Sequence, residues 1–190
     1  MPRALVLGGA RSGKSGYGEH LIAEWATSPD EVRYIATSQR RPDDPEWDKR
    51  IAAHQERRPE HWQTVESIEL TDQLRLDSSA PTLVDDLGTW LAAQIDTRGA
   101  WDSGPESLTS VVDELVEAVV SYAGPLVLIT PEVGMGIVPA TPSGRMFRDL
   151  IGVLNGRLAE KCEKVVLVIA GIPLPLRDES ALVREEDDDR

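Results

Sequence analysis

The chain has 190 residues, 41% hydrophobic and 28% charged, which suits one globular domain with a real core and excludes wholesale disorder. Its net charge of −13 repels phosphate backbones and so argues against nucleic acid as a partner. No apolar run reaches the roughly 18–20 residues of a membrane helix. No signal-peptide pattern follows Met1-Pro2-Arg3, and the lone Cys162 excludes an intrachain disulfide, so a cytoplasmic protein is expected.

Short apolar runs alternate with longer amphipathic ones. Arg3–Leu7 is the first predicted strand, followed by a helix over Lys14–Ala26. Val32–Ala36 is the second strand, and Pro45–Arg57 the helix after it. Gln39–Glu46, with its Pro and Asp content, reads as a surface loop and a hinge for that helix. Thr82–Asp85 is the third strand, followed by a helix over Gly88–Thr97 and a loop over Arg98–Glu106. Ser107–Ala123 reads as a well-capped helix with Leu108, Val111, Val112, Leu115, Val116 and Val119 on one side. Leu126–Thr130 and Lys164–Ile169 complete the strands, separated by a helix over Ser143–Lys161. Near-continuous aliphatic strands suit a parallel sheet buried on both faces. The alternation predicts an α/β, doubly wound fold: a mostly parallel sheet with helices on both faces. Trp90 and Trp101 fit either an interface or the core, the core being the commoner place for a tryptophan.

The residues Gly8-Gly9-Ala10-Arg11-Ser12-Gly13-Lys14-Ser15 match G-x-x-x-x-G-K-[ST], between a strand and a helix, where a phosphate-binding P-loop must sit. The glycines let successive N–H groups turn inward toward phosphate oxygens, and the helix that follows adds its positive end. Lys14 supplies a charge for the β- and γ-phosphates, and the Ser15 hydroxyl is a ligand for Mg²⁺. The fold class is therefore P-loop NTPase-like. Residues 1–180 are expected to form a single nucleotide-binding catalytic domain, and 181–190 an acidic, solvated tail. A P-loop also needs a carboxylate at the end of a neighbouring strand. Asp85 and Asp86 are the candidates, and Asp85, the first acid after the apolar run, is preferred. Magnesium keeps most of its waters, so Ser15 and Asp85 are enough protein ligands.

Asp85-Asp86-Leu87-Gly88 also matches the D-x-x-G of regulatory GTPases, which read guanine through N-K-x-D. None of the four lysines here follows an asparagine, so that reader is absent. A second unusual segment, Arg50 to Trp62, places His54 among Arg50, Arg57 and Arg58 in an otherwise acidic chain. It reads either as a polyphosphate site with a nucleophilic imidazole or as a solvated helix end. A plain small-molecule kinase is the alternative enzyme reading.

The chain resembles the bifunctional adenosylcobinamide kinase/adenosylcobinamide-phosphate guanylyltransferase family of cobalamin biosynthesis. The resemblance rests on the P-loop, Tyr34-Ile35-Ala36-Thr37-Ser38-Gln39, Arg50-Ile51-x-x-His54, Arg58-Pro59-x-x-Trp62 and Thr64-Val65-Glu66. It continues through Val84-Asp85, Glu132-Val133-Gly134-Met135-Gly136-Ile137-Val138-Pro139, Phe147-Arg148-Asp149 and Gly171-Ile172-Pro173-Leu174-Pro175-Leu176. It implies phosphorylation of adenosylcobinamide with ATP or GTP. GMP is then transferred from GTP to the phosphate through a GMP–histidine intermediate, giving adenosyl-GDP-cobinamide. His54 takes the nucleophile's place, and Lys14 is the second catalytic residue. Gly8 to Ser15, Ile35, Ala36, Thr37, Gln55, Glu56, Arg57, Arg58, Glu66 and Asp85 take nucleotide-binding places. His61 and His20 fall outside the motif and read as surface residues. A homo-oligomer is implied, a trimer being the expected form. Two positions depart from the usual family pattern: Pro131 stands where asparagine is frequent, and Asp86 where cysteine is.

Overall fold

Successive side chains of a strand point to opposite faces, and the aliphatic strands here bury both. The computed structural model describes residues 2–39, 44, 46, 49, 52, 55, 56 and 58–179. In chain order the elements are β1 (Arg3–Gly8), α1 (Lys14–Trp25), β2 (Arg33–Ala36), β3 (Gln63–Glu66), α2 (Leu70–Leu76) and β4 (Thr82–Asp85). They continue as α3 (Leu87–Arg98), α4 (Thr109–Ser121), β5 (Leu126–Pro131), α5 (Pro142–Ala159), β6 (Lys164–Ile169) and β7 (Ile172–Asp178). Glu46, Lys49, Ala52, Gln55 and Glu56 have helical backbone, in keeping with the predicted Pro45–Arg57 helix; its other residues lie outside the described ones. So do residues 40–43 of the expected hinge and the acidic tail, 181–190.

Among the described residues the strands form one sheet in the order β3-β2-β4-β5-β1-β6-β7, parallel throughout except for β7. The two-residue period divides the core. Leu5, Leu7, Ile35, Val84, Leu126 and Leu128 face one way, against Leu70 and Leu74 of α2, Trp90 and Leu91 of α3, Leu115 of α4 and Leu154 of α5. Ala4, Val6, Tyr34, Leu83, Val127 and Ile129 face the other way, against Leu21 and Ile22 of α1 and against Trp62. Helices therefore cover both faces, as the strand pattern predicts. Trp90 is buried in the core and Trp101 packs against it, partly buried.

Three elements were not read from the sequence. β3 is a short, largely exposed edge strand with polar ends, and α2 is a single seven-residue turn pair. β7 carries Pro173 and Pro175, which an outermost strand tolerates because its free edge needs no ladder donors. The expectation of a well-capped helix over Ser107–Ala123 is corrected. Residues Pro105–Leu108 form a 3₁₀ turn, α4 starts at Thr109, and no side chain caps it. Ser107 Oγ donates instead to the Gly104 carbonyl at 2.7 Å.

Parallel pairing brings the strand ends to one edge. Gly8 stands opposite Pro131, Ala36 opposite both Glu66 and Asp85, and Asp85 opposite Ile129. This carboxyl edge is where open α/β sheets bind ligands.

Candidate active site

The loop from Gly8 to Ser15 closes between β1 and α1. Gly13, at φ 94° and ψ 3°, is left-handed and begins the helix, so its carbonyl accepts from Tyr17 N at 3.0 Å. A Cβ at Gly13 would lie 3.1 Å from the Gly171 Cα, so the β6–β7 turn sits against the loop. Gly171 N donates to the Ser12 carbonyl at 2.8 Å and holds the loop from outside. Arg11 adopts φ 55°. Gly9, Ala10, Arg11 and Gly13 are exposed, whereas Gly8, Ser12, Lys14 and Ser15 are buried. Lys14 Nζ lies 3.5 Å from the Gly9 carbonyl, folded back over the loop it would serve.

From the other side of the edge, Asp85 reaches the same place. Ser15 Oγ donates to Asp85 Oδ1 at 3.4 Å, and both residues are buried. Two hard oxygen donors beside a phosphate cradle fit Mg²⁺, which takes one or two protein ligands and keeps its waters. Asp85 Oδ2 accepts from the Tyr34 hydroxyl at 2.6 Å. Tyr34 is fully buried; burial, and then the Asp85 charge, push its phenol far above the ordinary value. It is a neutral donor at every working pH.

Asp86, the departure from the usual pattern, has a structural occupation. Its Oδ1 accepts from Thr89 N at 2.8 Å and caps α3. Burial, and then the neighbouring Asp85, push its carboxyl up. Pro131 contributes its carbonyl, which accepts from Asn155 Nδ2 at 3.1 Å, while Asn155 Oδ1 accepts from Thr130 Oγ1 at 2.6 Å.

The segment around residue 54 joins this edge through its described members. The Arg58 guanidinium carbon lies 4.4 Å from the Tyr34 ring centroid, a cation–π contact. Arg58 Nη1 is 3.9 Å from Glu66 Oε1, which also accepts from Gln55 Nε2 at 2.8 Å. The buried Arg58 Nε has no hydrogen-bond partner among the described residues. Ser15, Asp85, Tyr34, Arg58, Glu66 and Gln55 thus form one contiguous chain of contacts. His54 and Arg57 lie outside the described residues, and Glu56 is exposed.

Ile35 and Ala36 put their side chains into the core, leaving only backbone to face a ligand. Thr37 is also buried, at the same edge. Its hydroxyl donates to the Asp86 carbonyl at 2.7 Å and accepts from Asp86 N at 3.1 Å, which ties β2 to the turn after β4. His61 is exposed, and so is His20, whose Nε2 lies 3.3 Å from Glu24 Oε1. Sequence reasoning gave Tyr34 no role. The available signal was a hydroxyl-bearing ring inside an aliphatic strand, next to the strand that ends in Asp85.

The family model described as cobinamide kinase / cobinamide phosphate guanyltransferase matches residues 4–176. The chain belongs to this family. Among its relatives is the bifunctional adenosylcobalamin biosynthesis protein CobP of Pseudomonas aeruginosa, 39% identical over 180 residues, covering 93% of this chain and 98% of the relative. The CobU proteins of the same description from Salmonella typhimurium and Escherichia coli are 38% and 36% identical, each covering 91% of this chain and 98% of the relative. As a cobinamide kinase / guanyltransferase family member the chain is an enzyme of the kinase and nucleotidyltransferase kind, with nucleoside triphosphates as substrates. Among the described residues no helix is long and apolar enough to cross a membrane.

Proposed function

We propose that this chain phosphorylates adenosylcobinamide with ATP or GTP and then transfers GMP from GTP to the resulting phosphate. The observation that carries this reading is the convergence of Ser15 and Asp85, 3.4 Å apart at the P-loop, with Arg58 and Gln55 tied to the same sheet edge. A nucleotide cradle alone would fit any kinase. Its continuity with the segment around residue 54, in a chain matched to the family over residues 4–176, favours both activities in one site.

In the kinase step the acceptor hydroxyl attacks the γ-phosphorus in line and the nucleoside diphosphate leaves. Lys14 and the inward N–H groups of the loop neutralise charge that develops on the transferring oxygens. Ser15 and Asp85 would hold Mg²⁺, which would supply Lewis-acid neutralisation of phosphate charge. In the guanylyl step an imidazole nitrogen of His54 attacks the α-phosphorus and pyrophosphate leaves. The cobinamide phosphate oxygen then displaces the imidazole, completing the product and freeing His54. Arg57 and Arg58 supply positive charge to the same phosphates.

A homo-oligomer, with a trimer as the expected form, belongs to this proposal. It is supported by the exposed row Ile172, Leu174 and Leu176 on the free edge strand β7, an apolar surface suited to burial against another copy.

The test separates the two reactions. Lys14→Ala should abolish both phosphorylation of cobinamide and GMP transfer. His54→Ala should abolish GMP transfer and leave phosphorylation largely intact, read by separating cobinamide, its phosphate and its GDP adduct. Loss of both activities in His54→Ala, with the fold retained, would contradict the assignment. Retention of both would remove His54 as the nucleophile, and a wild type that phosphorylates cobinamide without GMP transfer would return the chain to the plain kinase reading.

A further inference from the structure

The geometry points to Tyr34 as a positioning residue that joins the two halves of the site: its hydroxyl orients the Asp85 carboxylate for a divalent cation, and its ring seats Arg58 for the nucleotide. The inference rests on the proposed function, its first half on the cation site at Ser15 and Asp85 and its second on the nucleotide reactions.

Tyr34 is fully buried on β2, between β3 and β4 and two residues before the strand's carboxyl end. Three observations meet on its side chain. The hydroxyl donates to Asp85 Oδ2 at 2.6 Å, a short bond of the charge-assisted kind. Asp85 Oδ1, the other carboxylate oxygen, is the one that faces Ser15. Fixing Oδ2 sets the rotation of the whole carboxylate, and therefore the direction in which Oδ1 points. A carboxylate free to rotate would have to be ordered each time the cation bound, and the phenol removes that cost.

The ring does a second task. Arg58 crosses it at 4.4 Å, and the Trp62 ring lies 6.3 Å from it at 36°. Arg58 has its buried Nε without a partner among the described residues, and its other contact, to Glu66, is a loose 3.9 Å. Among the described residues the aromatic face, with the Glu66 carboxylate, is what holds the plane of this guanidinium. A planar guanidinium held in one orientation meets phosphate oxygens with less ordering cost than a free one.

Tyr34→Phe isolates the hydroxyl, because the ring remains. The probe is Mn²⁺ with guanosine 5′-(β,γ-imido)triphosphate, followed by electron paramagnetic resonance. Loss of one hydrogen bond to a charged group predicts binding about tenfold weaker than wild type. In kinetics the same variant should raise the Mg²⁺ concentration for half-maximal phosphorylation by about tenfold, with kcat at saturating Mg²⁺ within about threefold of wild type. Thermal unfolding without ligands serves as the control for a merely structural change. The ring's task is read by NMR. In both wild type and Tyr34→Phe, the Arg58 side-chain protons should be shifted upfield by the ring current.

Mn²⁺ affinity unchanged in Tyr34→Phe would overturn the hydroxyl's role. A loss of kcat as large as the loss of metal affinity would overturn positioning in favour of a direct catalytic part. Arg58 protons at ordinary shifts would overturn the ring's role. The metal titration stands without GMP transfer, so a chain that proves to be only a kinase would still pass or fail it.

Discussion

Replacing Gly13 with Ala tests how the P-loop is held. Gly13 sits at φ 94°, where a side chain costs about 1–2 kcal/mol. Its added Cβ would also lie 3.1 Å from the Gly171 Cα, backbone that must move for it to fit, at about 1 kcal/mol more. Together these predict a loss of about 2–3 kcal/mol, which lowers the melting temperature of a domain this size by about 5–10 °C. Gly99→Ala supplies the comparison. Gly99 has φ 59° but nothing within 4 Å of its Cβ position, so only the backbone cost applies, about 3–6 °C. Thermal unfolding by circular dichroism measures both. Displacing the loop also turns its N–H groups away from the phosphates, so a fluorescent GTP analogue should bind Gly13→Ala about tenfold or more weakly, and Gly99→Ala as wild type. If Gly13→Ala melts no lower than Gly99→Ala and binds nucleotide normally, the contact between the loop and the β6–β7 turn does not matter.

Two further predictions concern the opposite end of the sheet. Burial pushes the Glu163 carboxyl up, but the hydrogen bonds from Arg3 outweigh it and leave the pKa below the ordinary glutamate value. A carboxyl depressed in the folded state stabilises above its unfolded pKa and loses that contribution as pH falls through the folded one. Glu163→Gln should therefore lower the urea midpoint at pH 7, with the difference from wild type closing as the pH falls below about 4.3; a constant difference would be inconsistent. Cys162 is buried, and burial, followed by the Glu163 charge, pushes its thiol up to about 12. At pH 8 iodoacetamide should leave the native protein unmodified and alkylate it in denaturant, read by mass.

What the sequence made legible was whatever is local. Arg3–Leu7, Thr82–Asp85 and Lys164–Ile169 announce themselves because a strand buried on both faces is aliphatic throughout. The P-loop is legible because eight consecutive residues make the whole cradle. β3 and α2 escaped because an exposed edge strand and a helix of seven residues carry little periodicity, and their stability comes from what they touch. β7 escaped because two prolines contradict strand propensity everywhere except at an edge. The partner of Asp85 was hidden for a different reason. Tyr34 is 51 residues away, and only the parallel pairing of β2 with β4 brings its hydroxyl to the carboxylate. Asp86 shows the same limit from the other side. Beside Asp85 in sequence it looks like a second metal carboxylate, yet its oxygen turns to the α3 amide at Thr89.

The most direct test of the central claim is the intact-protein mass after incubation with GTP and Mg²⁺ alone, for wild type and His54→Ala. The account predicts a mass increase of one GMP, labile to acid, in the wild type and absent from the variant. A wild type that binds GTP yet gains no mass, or a His54→Ala protein that gains the same adduct, would contradict it.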